Sequence, residues 1–254
     1  MVASLFTGIK QWEFEWQGHK ATLPVFYYDN SSLTAIYTAD TAEVKKLLPL
    51  RDMNPIEFLP GKSLVAFTAF EYRKTDIDPY NEVSIAFLVS FRKPQVPGVT
   101  ALTQLLRRCF TAYVWQLPVT TEIARAGGVD LYGYPKFIAE IEFKKGSEWW
   151  ECSLSEKGEK ILDLKGRVLR TAPARTTRYI TYSVLDNIPL VANVFIRPLQ
   201  FGQSRNGSDA EVTLGTHRIA GQLKTIGLSE RPIIYQFAPR TEAVLFAGRN
   251  LIDN

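Results

Sequence analysis

Apolar and polar residues alternate with a period of two in one short run after another along this chain, the pattern of strands with a buried face. Trp12-Glu13-Phe14-Glu15-Trp16 is the first such run, and Gln17-Gly18-His19-Lys20 reads as a hairpin turn. A second strand is predicted over 21–28, with Pro24 at an edge or bend, and a third over 34–38. Residues 63–72 and 82–91 are apolar enough for buried strands, with a polar loop over 73–80 between them. Further strands are predicted over 111–117, 149–154, 160–164, 179–184 and 191–199, and a last hairpin, 233–237 with 243–247, around Pro239-Arg240.

Helical signals are few. Asp40 can cap a helix through Lys46, with Glu43 completing a capping-box-like pair and Pro49 stopping it. Leu102, Leu105, Leu106, Cys109 and Phe110 form a helical stripe, suited to a core or subunit contact; with Arg107 and Arg108 beside it, a membrane-surface helix is the alternative. Thr120 or Thr121 caps a short helix through Ala126, closed by Gly127-Gly128. A helix over 216–225 ends at Gly227, and 203–209 (QSRNGSD) reads as a flexible surface loop. The sum is a mainly β chain with a few short helices, an α+β protein with an antiparallel barrel-like or sandwich core. We expect one domain over 1–254.

Composition narrows the function classes. Hydrophobic content of 46% and charged content of 22% are ordinary for a soluble globular protein. The formal charge is +4 and the Lys and Arg residues are spread along the chain, so no nucleic-acid partner is argued by charge. Cys109 and Cys152 are the two cysteines and read as reduced thiols, which with the absence of a secretory signal points to the cytoplasm. No apolar run is long enough for a membrane span, and two histidines with two cysteines argue against a zinc site. No dinucleotide-binding, Walker or nucleophile-elbow motif is present.

The most informative stretch is Asp130-Leu131-Tyr132-Gly133-Tyr134-Pro135-Lys136-Phe137-Ile138-Ala139. Gly133 and Pro135 make a tight turn into Lys136, and from Lys136 the alternation reads as a strand with Lys136 facing away from Phe137 and Ala139. A lysine amine has a reference pKa of about 10.4 and is a nucleophile only when neutral. Burial penalises the ammonium form, so a lysine held in an apolar pocket is expected to titrate lower and is a candidate Schiff-base former. The ordinary fate of such a lysine is to snorkel into water. Glu82, at the start of its strand on the face of Ser84 and Ala86, is either a solvated strand-end carboxylate or an acidic pocket residue.

The segment Tyr132-Gly133-Tyr134-Pro135-Lys136 resembles the active-site signature of the acetoacetate decarboxylase family. Ile36-Tyr37-Thr38-Ala39-Asp40 with Val44, Leu47, Leu48 and Pro49, then Pro79-Tyr80-Asn81-Glu82, then His217-Arg218-Ile219-Ala220-Gly221-Gln222-Leu223, are similar to further family segments in the same order. The resemblance implies a closed β-barrel, a homo-oligomer, an imine between Lys136 and a 3-oxo acid such as acetoacetate, decarboxylation without metal or other cofactor, and an acidic residue at Glu82. Tyr132 and Tyr134 would line the pocket and Phe137 would help exclude water. The sequence departs from the family at two positions. Phe137 stands where many members carry a second lysine, and acetoacetate decarboxylase is itself the known instance of a lysine lowered by a neighbouring cation. Asn30 falls near the arginine that meets the substrate carboxylate. The alternatives are therefore an imine-dependent aldolase or dehydratase on a 2-oxo acid, or a non-catalytic barrel that binds a small ligand.

Overall fold

The computed structural model describes residues 4–16 and 18–252. In chain order the elements are β1 (Trp12–Trp16), β2 (His19–Leu23), β3 (Val25–Asp40), α1 (Thr41–Lys46), β4 (Met53–Pro55), β5 (Glu57–Leu59), β6 (Lys62–Thr75), β7 (Tyr80–Phe91), α2 (Val99–Arg107), β8 (Cys109–Gln116), α3 (Glu122–Tyr132), β9 (Glu140–Lys145), β10 (Trp149–Glu156), β11 (Glu159–Arg167), β12 (Thr177–Leu185), β13 (Ile188–Ser204), β14 (Ala210–Leu214), α4 (Arg218–Thr225) and β15 (Ile234–Leu245).

Seven strands close on themselves in the order β7-β8-β12-β13-β15-β3-β6, with β6 paired back to β7. Closure removes the exposed edges that an open sheet would offer to other chains. The predicted barrel is therefore present, but it is mixed rather than purely antiparallel, because β8 and β12 run parallel. A second, four-stranded antiparallel sheet, β14-β11-β10-β9, packs on it. Leu33, Phe67 and Phe87 of the barrel and Cys152, Leu154, Leu162 and Leu164 of that sheet fill one fully buried core, which Ile219 and Leu223 of α4 complete. β1 and β2 form a separate hairpin; Gln17, with which the expected turn begins, lies outside the described residues.

Several boundaries differ from the sequence reading, each for a local reason. β3 runs unbroken for 16 residues through Asp29-Asn30-Ser31-Ser32, a polar run that looked like a break. The ladder absorbs it with bulges at Asp29, and the buried Asn30 and Ser31 side chains bond Thr241 and Glu71, so no polar group is stranded. β15 likewise is one bent strand, not a hairpin, since Pro239 lies at a register shift where its missing N–H costs no ladder bond. The segment 203–209 is not a loose loop. Gln203 and Ser204 belong to β13, and Asn206 caps a 3-10 turn, Gly207–Asp209, by accepting from Ser208 N–H. Asp40 does precede α1, but its carboxylate accepts from Lys62 instead of capping, and Glu43 pairs with Lys46. α2 has no buried residue. Leu102, Leu105 and Leu106 face solvent, so its stripe is not core. Among the described residues no helix is long and apolar enough to cross a membrane.

Candidate active site

Directly opposed residues of paired strands share a face of the sheet, and two adjacent rows of the barrel define the site. Asn30, Tyr72 and Tyr80 oppose one another across β3, β6 and β7, and Ser32, Phe70 and Glu82 form the next row. On this face Tyr27, Tyr72, Tyr80, Tyr132 and Tyr134 belong to one buried cluster. Phe70 and Tyr72 stack with centroids 5.4 Å apart, and Tyr72 contacts Tyr27 and Tyr80 at 4.6 and 4.7 Å. The result is an aromatic box around the start of β7.

Lys136 enters this box by a route that the strand prediction missed. β9 begins only at Glu140. Before it, Lys136 N–H turns back on the Tyr134 carbonyl at 2.7 Å, and Val119 holds the chain on both sides of Ile138, donating to the Phe137 carbonyl and accepting from Ala139 N–H. Val119 also bridges Glu82 on its other side. One residue thus lies between the two charged positions, 54 residues apart in sequence, and brings them together. Lys136 Nζ is 2.7 Å from Glu82 Oε2, with the two side chains 6% and 8% exposed.

The lysine is buried, as predicted, but its neighbour is an anion. The two form a buried ion pair. Tyr72 donates to Glu82 Oε1 at 3.3 Å, which fixes the carboxylate, and the Tyr80 ring lies 5.4 Å below Lys136 Nζ, a favourable place for a cation. Tyr27 and Tyr80 share a hydroxyl contact of 3.3 Å, and Tyr134 and Thr181 one of 2.7 Å. Burial, reinforced by the negative charge of Glu82, pushes the hydroxyls of Tyr27, Tyr72, Tyr80 and Tyr134 far above their usual range. The box is therefore a set of protonated donors at any physiological pH.

α3 positions the lysine stem. It does not stop at Gly127-Gly128 but runs to Tyr132 and ends at Gly133 in the left-handed region, φ 60°. Both glycines are inside the helix, and the Lys136 stem packs on the second: a Cβ on Gly128 would sit 2.3 Å from Lys136 Cδ and 2.5 Å from Cε, whereas Gly127 faces open space. A hollow of about 300 Å³, lined by Val129, Tyr134, Pro135, Lys136, Val184 and Leu185 among others, adjoins the lysine.

Of the predicted site residues, Lys136 and Glu82 meet directly and Tyr132 and Tyr134 stack on each other at 5.4 Å beside them. Phe137 is not brought to the amine; its side chain packs into the core shared with the second sheet, as expected for neighbours pointing to opposite sides of an extended chain. Asn30 lies on the site face, in the row of Tyr72 and Tyr80, but its amide is engaged at both ends with Thr241. Tyr27, Tyr72, Tyr80, Val119 and Gly128 were not identified from sequence; the period-two relation of Tyr80 to Glu82 was the one available signal. Among the described residues no group of three or more His, Cys, Asp or Glu side chains could hold a metal ion.

Removing one member of a buried ion pair leaves the other unpaired, at a cost of about 3–5 kcal/mol. Glu82→Gln and Lys136→Met should each destabilise by an amount in that range in urea denaturation, and the double variant by clearly less than their sum. Strict additivity would show that the pair is not coupled. Gly128→Ala should lower stability despite the helical preference for alanine over glycine of roughly 0.5–1 kcal/mol, because its Cβ would push the Lys136 stem out of the buried pair with Glu82, and should slow any reaction of the Lys136 amine with carbonyl reagents. An unaltered amine reactivity would mean that the stem moves aside freely.

The family model described as acetoacetate decarboxylase (ADC) matches residues 15–237. A sequence comparison with curated proteins gives no match. Solved structures share the fold at low identity. The acetoacetate decarboxylase of Legionella pneumophila subsp. pneumophila str. Philadelphia 1 is 13% identical with a TM-score of 0.65, covering 90% of this chain and 87% of its own. The enduracididine biosynthesis enzyme MppR, in complex with pyruvate, is 13% identical with a TM-score of 0.63 and 90% coverage of both chains. An acetoacetate decarboxylase-like enzyme from Sphingomonas wittichii RW1 is 14% identical with a TM-score of 0.58, covering 90% and 92%. With the family model spanning most of its length, this chain belongs to the acetoacetate decarboxylase family.

Proposed function

We propose that the protein is a Schiff-base lyase that binds a small oxo acid at Lys136 and decarboxylates it where it is a 3-oxo acid such as acetoacetate. The observation that carries this reading is the Lys136 amine, enclosed by tyrosines and 2.7 Å from a carboxylate able to take its proton. Glu82 accepts a proton from the ammonium, and the free amine adds to the ketone carbon. Glu82 returns that proton to the departing hydroxyl, water leaves, and an iminium remains beside the Glu82 anion. The bond to the carboxylate then breaks, its electron pair moves towards the iminium nitrogen, and carbon dioxide and an enamine result. The one proton consumed overall enters from water through Glu82 to the enamine carbon. Water then hydrolyses the iminium and frees the lysine. The iminium itself is the electron sink, so the scheme uses no metal or other cofactor. The aromatic box limits the water that would compete at the imine.

A second reading, aldol, retro-aldol or dehydration chemistry on a 2-oxo acid through the same imine, is favoured by one specific feature. Asn30 is engaged with Thr241 and offers no cation to a 3-oxo acid carboxylate, while Glu82 is placed to remove a proton from carbon next to the iminium. MppR, a fold neighbour, has been captured with pyruvate. The third reading is a non-catalytic barrel that binds a small ligand. A homo-oligomer accords with the solvent-facing Val99, Leu102, Leu105 and Leu106 of α2, and a cytoplasmic location with the two free cysteines.

Carbon dioxide release from acetoacetate and deuterium exchange into the pyruvate methyl group separate these readings. Release above background that is abolished in Lys136→Ala supports decarboxylation. Exchange without release supports the second reading, and neither reaction leaves the binding barrel.

A further inference from the structure

The five tyrosines of the box are not equivalent. Tyr27 bonds Tyr80, Tyr72 bonds Glu82, and Tyr134 bonds Thr181. The Tyr132 hydroxyl is buried and has no hydrogen-bond partner among the described residues. Buried hydroxyls are nearly always paired, because an unpaired one has lost its water without replacement. The ring cannot readily turn away to find a partner. It stacks on Tyr134 with an interplanar angle of 7°, and the backbone carbonyl of Tyr132, at the last position of α3, is held by Ser183 Oγ.

We propose that the Tyr132 hydroxyl is the donor that binds the carboxylate of the oxo acid once its ketone is joined to Lys136, an assignment that rests on the imine reading above. Hydrogen bonding favours this place over the rest of the box. The other four hydroxyls are committed, Tyr72 to Glu82, Tyr27 and Tyr80 to each other and Tyr134 to Thr181, which leaves Tyr132 as the uncommitted donor of the five. Asn30 does not compete, since its amide is closed on Thr241. Burial keeps the Tyr132 hydroxyl protonated, so it remains a donor throughout the working pH range. It is a neutral donor, which holds the carboxylate without cancelling its charge and leaves the electrons of the departing group to the iminium.

The test is Tyr132→Phe, which deletes the oxygen and keeps the stacked ring. Borohydride trapping of the parent and the variant is measured over a range of acetoacetate, which carries the carboxylate, and of acetone, which lacks it. A hydrogen bond to a charged group predicts that the half-saturating acetoacetate concentration rises about 10- to 100-fold relative to that of acetone. The ligand-free variant should melt no lower than the parent, since the lost hydroxyl had no partner. Equal shifts for both probes, or no shift, would overturn the assignment. A parent that traps neither probe would remove the imine reading itself, and the carboxylate donor with it.

Discussion

A buried ammonium and a buried carboxylate 2.7 Å apart constrain the rest of this molecule. Neither charge is tolerable alone at such low exposure, and their attraction offsets the loss of water only when geometry is held and the remaining hydrogen bonds are made. The surrounding structure meets both conditions. Val119 fixes the spacing from the backbone, Tyr72 satisfies the second carboxylate oxygen, and Gly128 leaves room for the lysine stem. The barrel supplies the rows that place Tyr72, Tyr80 and Glu82 on one face.

The same pair determines what chemistry is available. In the proposed scheme the Lys136–Glu82 pair is electrically neutral, and it stays so when the lysine becomes an iminium, because Glu82 remains beside it. Imine formation therefore moves no net charge into the barrel wall. A substrate carboxylate adds an unbalanced negative charge, and its loss as carbon dioxide relieves that imbalance. In family members with a second lysine next to the first, a cation alters this arithmetic. Here the following residue is Phe137, which faces the other core, so in the proposed scheme proton sharing with Glu82 replaces cationic activation as the route to a free amine.

The two charged residues that meet in the candidate site stood out in the sequence, and most of the construction around them did not. Lys136 stood out because a Gly-Tyr-Pro turn precedes it, and Glu82 because it begins a strongly apolar run. Both signals are local. The contacts that make the site work are not. Tyr27 and Tyr72 meet because β3 and β6 pair, Asn30 is closed by Thr241 from 211 residues away, and the parallel β8–β12 pair depends on a crossover that no periodicity encodes. Gly127-Gly128 reads as a helix stop by local preference, yet α3 continues through the pair to Tyr132, and the Lys136 stem packs on Gly128. The strand expected to start at Lys136 failed for a related reason, since Val119 takes its hydrogen bonds one residue at a time and leaves no ladder. The bulges in β3 and β15 show the same limit, because a bulge is defined only with a partner strand.

The central claim is that this amine, and no other in the chain, attacks a carbonyl. Borohydride reduction in the presence of oxo acids, followed by peptide mass mapping, addresses it directly. The account predicts one substrate-derived adduct, on the peptide that contains Lys136, and its disappearance in Lys136→Ala. Labelling of the Lys136→Ala protein as strong as that of the parent would contradict it.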